Sequence, residues 1–294
     1  MSNKDLLDNI KKLRELTGVG FKDCKSALDE SKGDINKSIE FLRKKGIAKA
    51  SKKMSRTASE GLALIKEDSN KISIIEVNSE TDFVAKNKDF ISFCKELSDI
   101  CFSTMGDLDK LNNIKMNNGT SVKDNLVALI AKIGEKITIR RAHFFDNKNG
   151  QNFFYVHSAI EKNIGKIISV VKLENLIKGK NEEIGNKVAM HVAASSPLAI
   201  DKNGIKKEII DKELEIIKAE ITNSGKPLDM AEKISKGKIA KFINDNTLLN
   251  QIWIMDPKKK VSDILKENKV DKEIKVLDFI RYKVGEGVWN ELRI

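Results

Sequence analysis

The residues of this chain with most chemical capacity are three histidines, three cysteines and four Gly-Lys pairs, and none is spaced for a known reaction. His143, His157 and His191 show no metal-ligand spacing. Cys24, Cys94 and Cys101 are odd in number and form no C-x-x-C pair, so neither a zinc site nor a disulfide framework is indicated. Gly165-Lys166, Gly179-Lys180, Gly225-Lys226 and Gly237-Lys238 each lack the earlier glycine and the following Ser or Thr of a phosphate-binding loop. Gly285-Glu286-Gly287 is too short for a dinucleotide fingerprint, and no G-x-S-x-G elbow occurs. Carboxylates are plentiful, but no pair stands out from the charged surface. One run is unusual on its own terms: Asn78-Ser79-Glu80-Thr81-Asp82-Phe83-Val84-Ala85. Thr81 or Asp82 would cap a helix there, setting an acid and an aromatic at an exposed strand-to-helix corner. On the residues alone, the plainer reading is an ordinary cap with Phe83 as the first core residue of its helix.

The elements around that run follow from periodicity. Residues 1–45 read as three short helices. Leu6, Ile10, Leu13 and Leu16 line the first, which ends at the Thr17-Gly18-Val19-Gly20 turn. Cys24, Ala27 and Leu28 mark the second, and Asp34 caps a third with Ile35, Ile39 and Leu42 inward. A bundle this small sits at the edge of independent stability and is the kind that binds other proteins. Residues 46–60 form a basic linker. Strands follow at Leu62–Lys66 and Ile72–Asn78, then one helix carrying Phe83, Phe90, Cys94, Leu97 and Cys101 on a single stripe. After a polar loop over 103–120 come a helix through Leu126–Ile133, Gly134 and a strand at Ile137–Phe145.

A second unit repeats the mixture. Strands are expected at Phe153–Ile160 and Ile164–Leu173, and a helix at Glu182–Ser195 stopped by Pro197. Residues 205–246 read as a helical hairpin whose second arm shows Met230, Ile234, Ile239 and Phe242. Ile252–Met255, a helix through Val261–Leu265 and a strand at Val276–Val284 return to the sheet. The division expected is 1–45, 46–60, 61–147, 148–204, the 205–246 insertion and 247–294. Without regular βαβ alternation, the fold class is α+β with antiparallel sheets. His191 lies in an otherwise apolar helix and reads as structural.

Composition bounds the function class. The 294 residues carry 54 Lys+Arg against 43 Asp+Glu, a net charge of +11, with 40% hydrophobic residues. Seven of the fourteen positions from Arg43 to Arg56 are basic, which suggests a nucleic-acid arm. Only seven residues in the chain are arginine, and no aromatic is interleaved for stacking, so a solvated linker helix is preferred. A lysine-rich RNA-binding protein using residues 43–56 is the runner-up. The charged start offers no leader, and no stretch is long enough to span a membrane. An unexported, cytoplasmic protein with buried thiols is expected.

LRELTGVGFKDCKSAL (13–28), EVNSETDFVAKN (76–87), AKIGEKITIRR (131–141), VAMHVAASSP (188–197), SGKP (224–227) and FIRYKVGEGV (279–288) occur in the order found in the elongation factor Ts family, which the chain therefore resembles over nearly its whole length. The resemblance implies a guanine-nucleotide exchange factor for elongation factor Tu in protein biosynthesis, without catalytic chemistry or a cofactor of its own. It acts on the Mg2+ and GDP held by the partner. It implies a ubiquitin-associated-like module at the N-terminus and a two-part α+β core with an inserted helical hairpin. Thr81, Asp82, Phe83 and Val84 become the wedge that disturbs the partner's Mg2+ site. Ile133 and Gly134 pack near it, Phe21, Lys22 and Lys25 become module contacts, and His157 a further partner contact. No direct nucleic-acid or membrane partner is implied, and the hairpin is a candidate for homodimerisation or a two-to-two complex. The chain departs from the family pattern at Phe21 and Lys22, where small residues or methionines are common. It also departs at Ile294, past which some members add a helix, and in its charge.

Overall fold

The computed structural model describes residues 3–17, 19–223 and 228–288. Gly18, the Ser224-Gly225-Lys226-Pro227 motif, the Met230 side chain and the chain end at Ile294 lie outside that description. Three helices open the chain, α1 (Asn3–Thr17), α2 (Phe21–Glu30) and α3 (Ile35–Lys53). Ile10, Leu13, Cys24, Ala27, Leu28 and Leu42 form their core. Leu16, expected on the same face, is instead 60% exposed. Asp34 caps α3 as expected, its side chain accepting from the Lys37 N–H.

The basic linker is not a separate element at its start, because α3 runs on to Lys53 and lies against α7 (Val122–Ile133). A glycine, Gly46, faces Ala131 at that crossing, and Ala50 reaches the main core. Arg43 pairs with Asp124 at 2.7 Å and Lys45 with Asp23 at 3.1 Å, so part of the basic run is spent inside the molecule.

Two antiparallel sheets follow. The first has the order β3-β2-β1-β5, from β1 (Glu60–Asp68), β2 (Lys71–Ser79), β3 (Ile137–Phe145) and β5 (Ile164–Gly165). The second has the order β4-β6-β7, from β4 (Gln151–His157), β6 (Ile167–Glu174) and β7 (Lys275–Lys283). The long strand expected over Ile164–Leu173 is thus divided at Lys166. Gly165 pairs with Ala63 in one sheet and Ile167 with His157 in the other.

The sheets stack face to face. Ala63, Ile65, Ile72 and Ile74 from the first meet Ile168, Val170 and Tyr282 from the second. On its far face the first sheet presents Leu62, Leu64, Ile75 and Val77 to α5 (Lys88–Ser103) and α7. The second presents Val171 and Leu173 to α8 (Glu183–Ser195) and α11 (Val261–Glu267). Four layers result, helix–sheet–sheet–helix, and β1 and β2 are buried on both faces. That is why they read as near-continuous apolar runs rather than alternating ones. All three cysteines are free and buried. Burial pushes the Cys94 thiol well above its ordinary range and that of Cys101 up to about 11, so neither is a thiolate near neutrality.

Two connections differ from expectation. The polar loop after α5 contains a short helix, α6 (Leu108–Asn113), capped by Asp107. Ile252–Met255 forms no strand, only an isolated bridge from Ile252 to Lys260. The hairpin consists of α9 (Lys207–Asn223) and α10 (Leu228–Asn246), packed on each other. His191 is fully buried, stacked on Trp253 with ring centroids 5.2 Å apart and bonded to Gln251 Oε1 at 3.1 Å. The structural reading of that histidine holds.

Candidate functional site

The corner after β2 departs from the helix expected there. A four-residue turn, α4 (Asp82–Ala85), is separated from α5 by Lys86 and Asn87. Asn87 restarts the helix by accepting from the Asp89 and Phe90 N–H groups. The break rotates Phe83 off the stripe of Phe90, Cys94 and Leu97. Phe90 is fully buried, whereas Phe83 is 77% exposed. The reading of Phe83 as a first core residue is therefore overturned. Val84 and Ala85 take that place, at 4% and 1% exposure, and anchor the turn on the main core.

Thr81 occupies the cap position of α4, yet its side chain does not cap it, and Asp82 is the first helical residue. The Thr81 hydroxyl donates to Glu135 Oε1 at 2.8 Å, and the Thr81 N–H donates to Glu135 Oε2 at 3.0 Å. The adjacent Glu80 does the converse, its Oε1 accepting from the Lys136 N–H at 2.6 Å. Two loops thus lend each other a carboxylate. Burial pushes the Glu80 carboxyl up, but the Lys136 N–H and the Arg56 guanidinium outweigh it and hold the group below its usual range.

The end of the basic linker closes the frame. Arg56 donates to Glu80 at 3.1 Å, and Lys136 Nζ donates to the Met54 and Arg56 carbonyls at 2.8 Å each. Lys53 Nζ donates to the Gly134 carbonyl. Gly134 ends α7 in the left-handed region, φ 85°, where a side chain would be strained, and so turns the chain sharply enough to bring Glu135 under Thr81. Asp82 lies half-buried beside Phe83. Its hydrogen bond from Lys86, 3.0 Å long, holds its carboxyl below the usual carboxylate range, and the charge of Lys166 adds to this. Lys166 itself pairs with Glu60 at 2.8 Å, at the end of β1 opposite Ser79.

The site residues named from sequence divide into three groups. Thr81, Asp82, Phe83 and Val84 share one corner with Gly134, which Glu135 and Lys53 tie to it, and with the half-buried Ile133. His157 is exposed at the end of β4, its carbonyl against Gly165 and so one residue from Lys166; its Nδ1 lies 3.3 Å from the Tyr155 hydroxyl. Phe21, Lys22 and Lys25 are exposed on α2, whose buried residues Cys24, Ala27 and Leu28 pack in the N-terminal helical core. Sequence reasoning missed Glu80, Glu135, Lys136, Arg56 and Lys53 as members of the site. Only their membership of the E-T-D-F and G-E-K motifs and of the basic run could have pointed to them. Among the described residues no group of three His, Cys, Asp or Glu converges as a metal site, and no helix is long and apolar enough to cross a membrane.

The arrangement offers an exposed aromatic and an acid on a mount held by hydrogen bonds from two loops. The family model for elongation factor Ts matches residues 80–286. Curated relatives with that name include those of Rickettsia prowazekii, 40% identical over 95% of this chain and 91% of the relative, and Nitrobacter hamburgensis, 41% over 95% and 92%. That of Rickettsia felis is 39% identical over 96% and 92%.

Proposed function

The chain belongs to the elongation factor Ts family of translation elongation factors, and on that premise we propose that it binds elongation factor Tu carrying GDP and releases the nucleotide by disturbing the partner's Mg2+ and phosphate site. Mg2+ requires near-ideal octahedral geometry, so a small displacement of its ligands or of the phosphate loop weakens nucleotide binding strongly. The factor needs no acid–base chemistry for this. It must bind the nucleotide-free partner better than the GDP-bound one, and by reciprocity the incoming GTP then expels it.

One observation carries the reading: Phe83 stands 77% exposed on a corner held from three sides, with the carboxylate of Asp82 next to it. A large apolar side chain left in water on so rigid a mount suits insertion into a second protein. The acid beside it suits competition for groups that would otherwise face Mg2+ or phosphate. His157 and the α2 residues Phe21, Lys22 and Lys25 serve as further contacts, and the fold acts in the cytoplasm with its partner. A released fluorescent GDP tests this directly. Phe83→Ala with Asp82→Ala should slow GDP release at least about tenfold, since an interface Phe is worth ~2 kcal/mol or more on truncation. Circular dichroism should stay native. Undiminished exchange by the double variant would end the proposal.

A further inference from the structure

The geometry points to Glu135 as a positioning residue for the wedge, acting on the partner only through Phe83 and Asp82. Both of its carboxylate oxygens are taken by one residue, Thr81, through its N–H at 3.0 Å and its hydroxyl at 2.8 Å. Thr81 immediately precedes Asp82 and Phe83, and its hydroxyl bonds Glu135 rather than capping its own turn. A four-residue turn closes too few backbone bonds to fix its own direction. Two supports therefore aim Phe83: Val84 and Ala85 buried beneath it, and Glu135 at the point where the strand becomes the turn. Glu135 is in turn fixed by its neighbours. Gly134 before it receives Lys53, and Lys136 after it donates to Glu80 and to the carbonyls of Met54 and Arg56. The end of α3 and the residues just after it thus reach this corner by two routes, Lys53 through Gly134 to Glu135 and Arg56 directly to Glu80.

The inference rests on the wedge reading and is tested so that the two can fail separately. GDP release from the cognate elongation factor Tu is followed over a range of factor concentrations. Glu135→Ala should lower the maximal release rate by about tenfold, as misplacement of a reacting group does, while the half-saturating concentration stays within about threefold. Glu135→Gln, which keeps one acceptor for Thr81, should recover most of the rate. Placed in the Phe83→Ala background, Glu135→Ala should add almost nothing, because both act through one contact. An equal drop in that background, or an unchanged maximal rate for Glu135→Ala alone, overturns the positioning role. If Glu135→Ala does not fold, Thr81→Val removes only the hydroxyl bond, and its maximal rate decides in the same way. Full exchange by Phe83→Ala with Asp82→Ala would instead overturn the wedge and, with it, this inference.

Discussion

Phe83 and Val84 are adjacent in sequence and opposite in fate. One faces water and the other is buried in the main core, so a single α-helical turn both anchors and displays the corner. His191 shows the other use of a potentially reactive side chain. Its Nδ1 accepts from the Ile254 N–H at 3.4 Å, its Nε2 is bonded to Gln251, and burial holds its pKa below the ordinary 6.5. His143 is lowered for the same reason. In both cases the unfolded chain binds the proton more readily. The stability each contributes is therefore complete above pH 6.5 and declines as the pH falls below it towards the folded value. Thermal unfolding of the intact chain should shift downward across that window. His191→Phe keeps a ring against Trp253 but orphans the Ile254 N–H. It should cost about 1–3 kcal/mol at neutral pH and make the acid decline shallower.

At the scale of elements, the crossing of α3 on α7 is set by Gly46, where an added Cβ would meet Ala131 at 3.4 Å. That is ordinary contact, so Gly46→Ala should gain up to about 1 kcal/mol from helix propensity. Gly46→Leu should push the helices apart and cost about 1–3 kcal/mol. Opposite shifts in denaturant midpoint would check the pair, and two shifts of the same sign would contradict it. Much of this framework was legible in the chain. β1, β2, β3 and α7 lie within a few residues of where periodicity puts them, because each buries an apolar set with a clear repeat. Three features were not. The break at Lys86-Asn87 was hidden because Phe83 and Phe90 are spaced like one helical stripe, although Asn87 three residues before Phe90 is a cap signal. The division at Lys166 was hidden because Ile164 and the Ile167–Leu173 run read as one apolar, β-branched strand, and nothing local says that its two ends enter different sheets. The strap of Lys53 and Arg56 looked solvated because its acceptors lie 24 to 81 positions away. Local pattern carries the elements; it does not carry side-chain bonds between them.

Across the whole molecule, the two stacked sheets are fastened at one end by a buried acid. Glu76 is fully buried and accepts from Arg140 at 3.1 Å, Arg141 at 2.6 Å, Asn78 at 3.0 Å and the Gly285 N–H at 2.9 Å. The arginines also reach the Glu286 and Lys283 carbonyls, and Gly285 holds φ 76° where a Cβ would run into the Ser59 carbonyl. The V-G-E-G motif is thereby explained as a clasp between β7 and the first sheet. Removing a carboxylate that holds two charged partners costs about 3–5 kcal/mol. Glu76→Ala should lower stability by that amount and speed amide exchange at Gly285, and a protected Gly285 in that variant would refute the clasp. The frame around Phe83 has a consequence in time. The bonds of Thr81 to Glu135 and of Lys136 to Glu80 and to the Met54 carbonyl join residues 54, 56 and 82 positions apart. Loops of that length close only once β2 and β3 have paired. A nascent polypeptide that has emerged only as far as α7 already carries the aromatic but not its frame. The fixed display of Phe83 is deferred until β2 and β3 have paired, and a stalled or clipped product carries the aromatic without its mount.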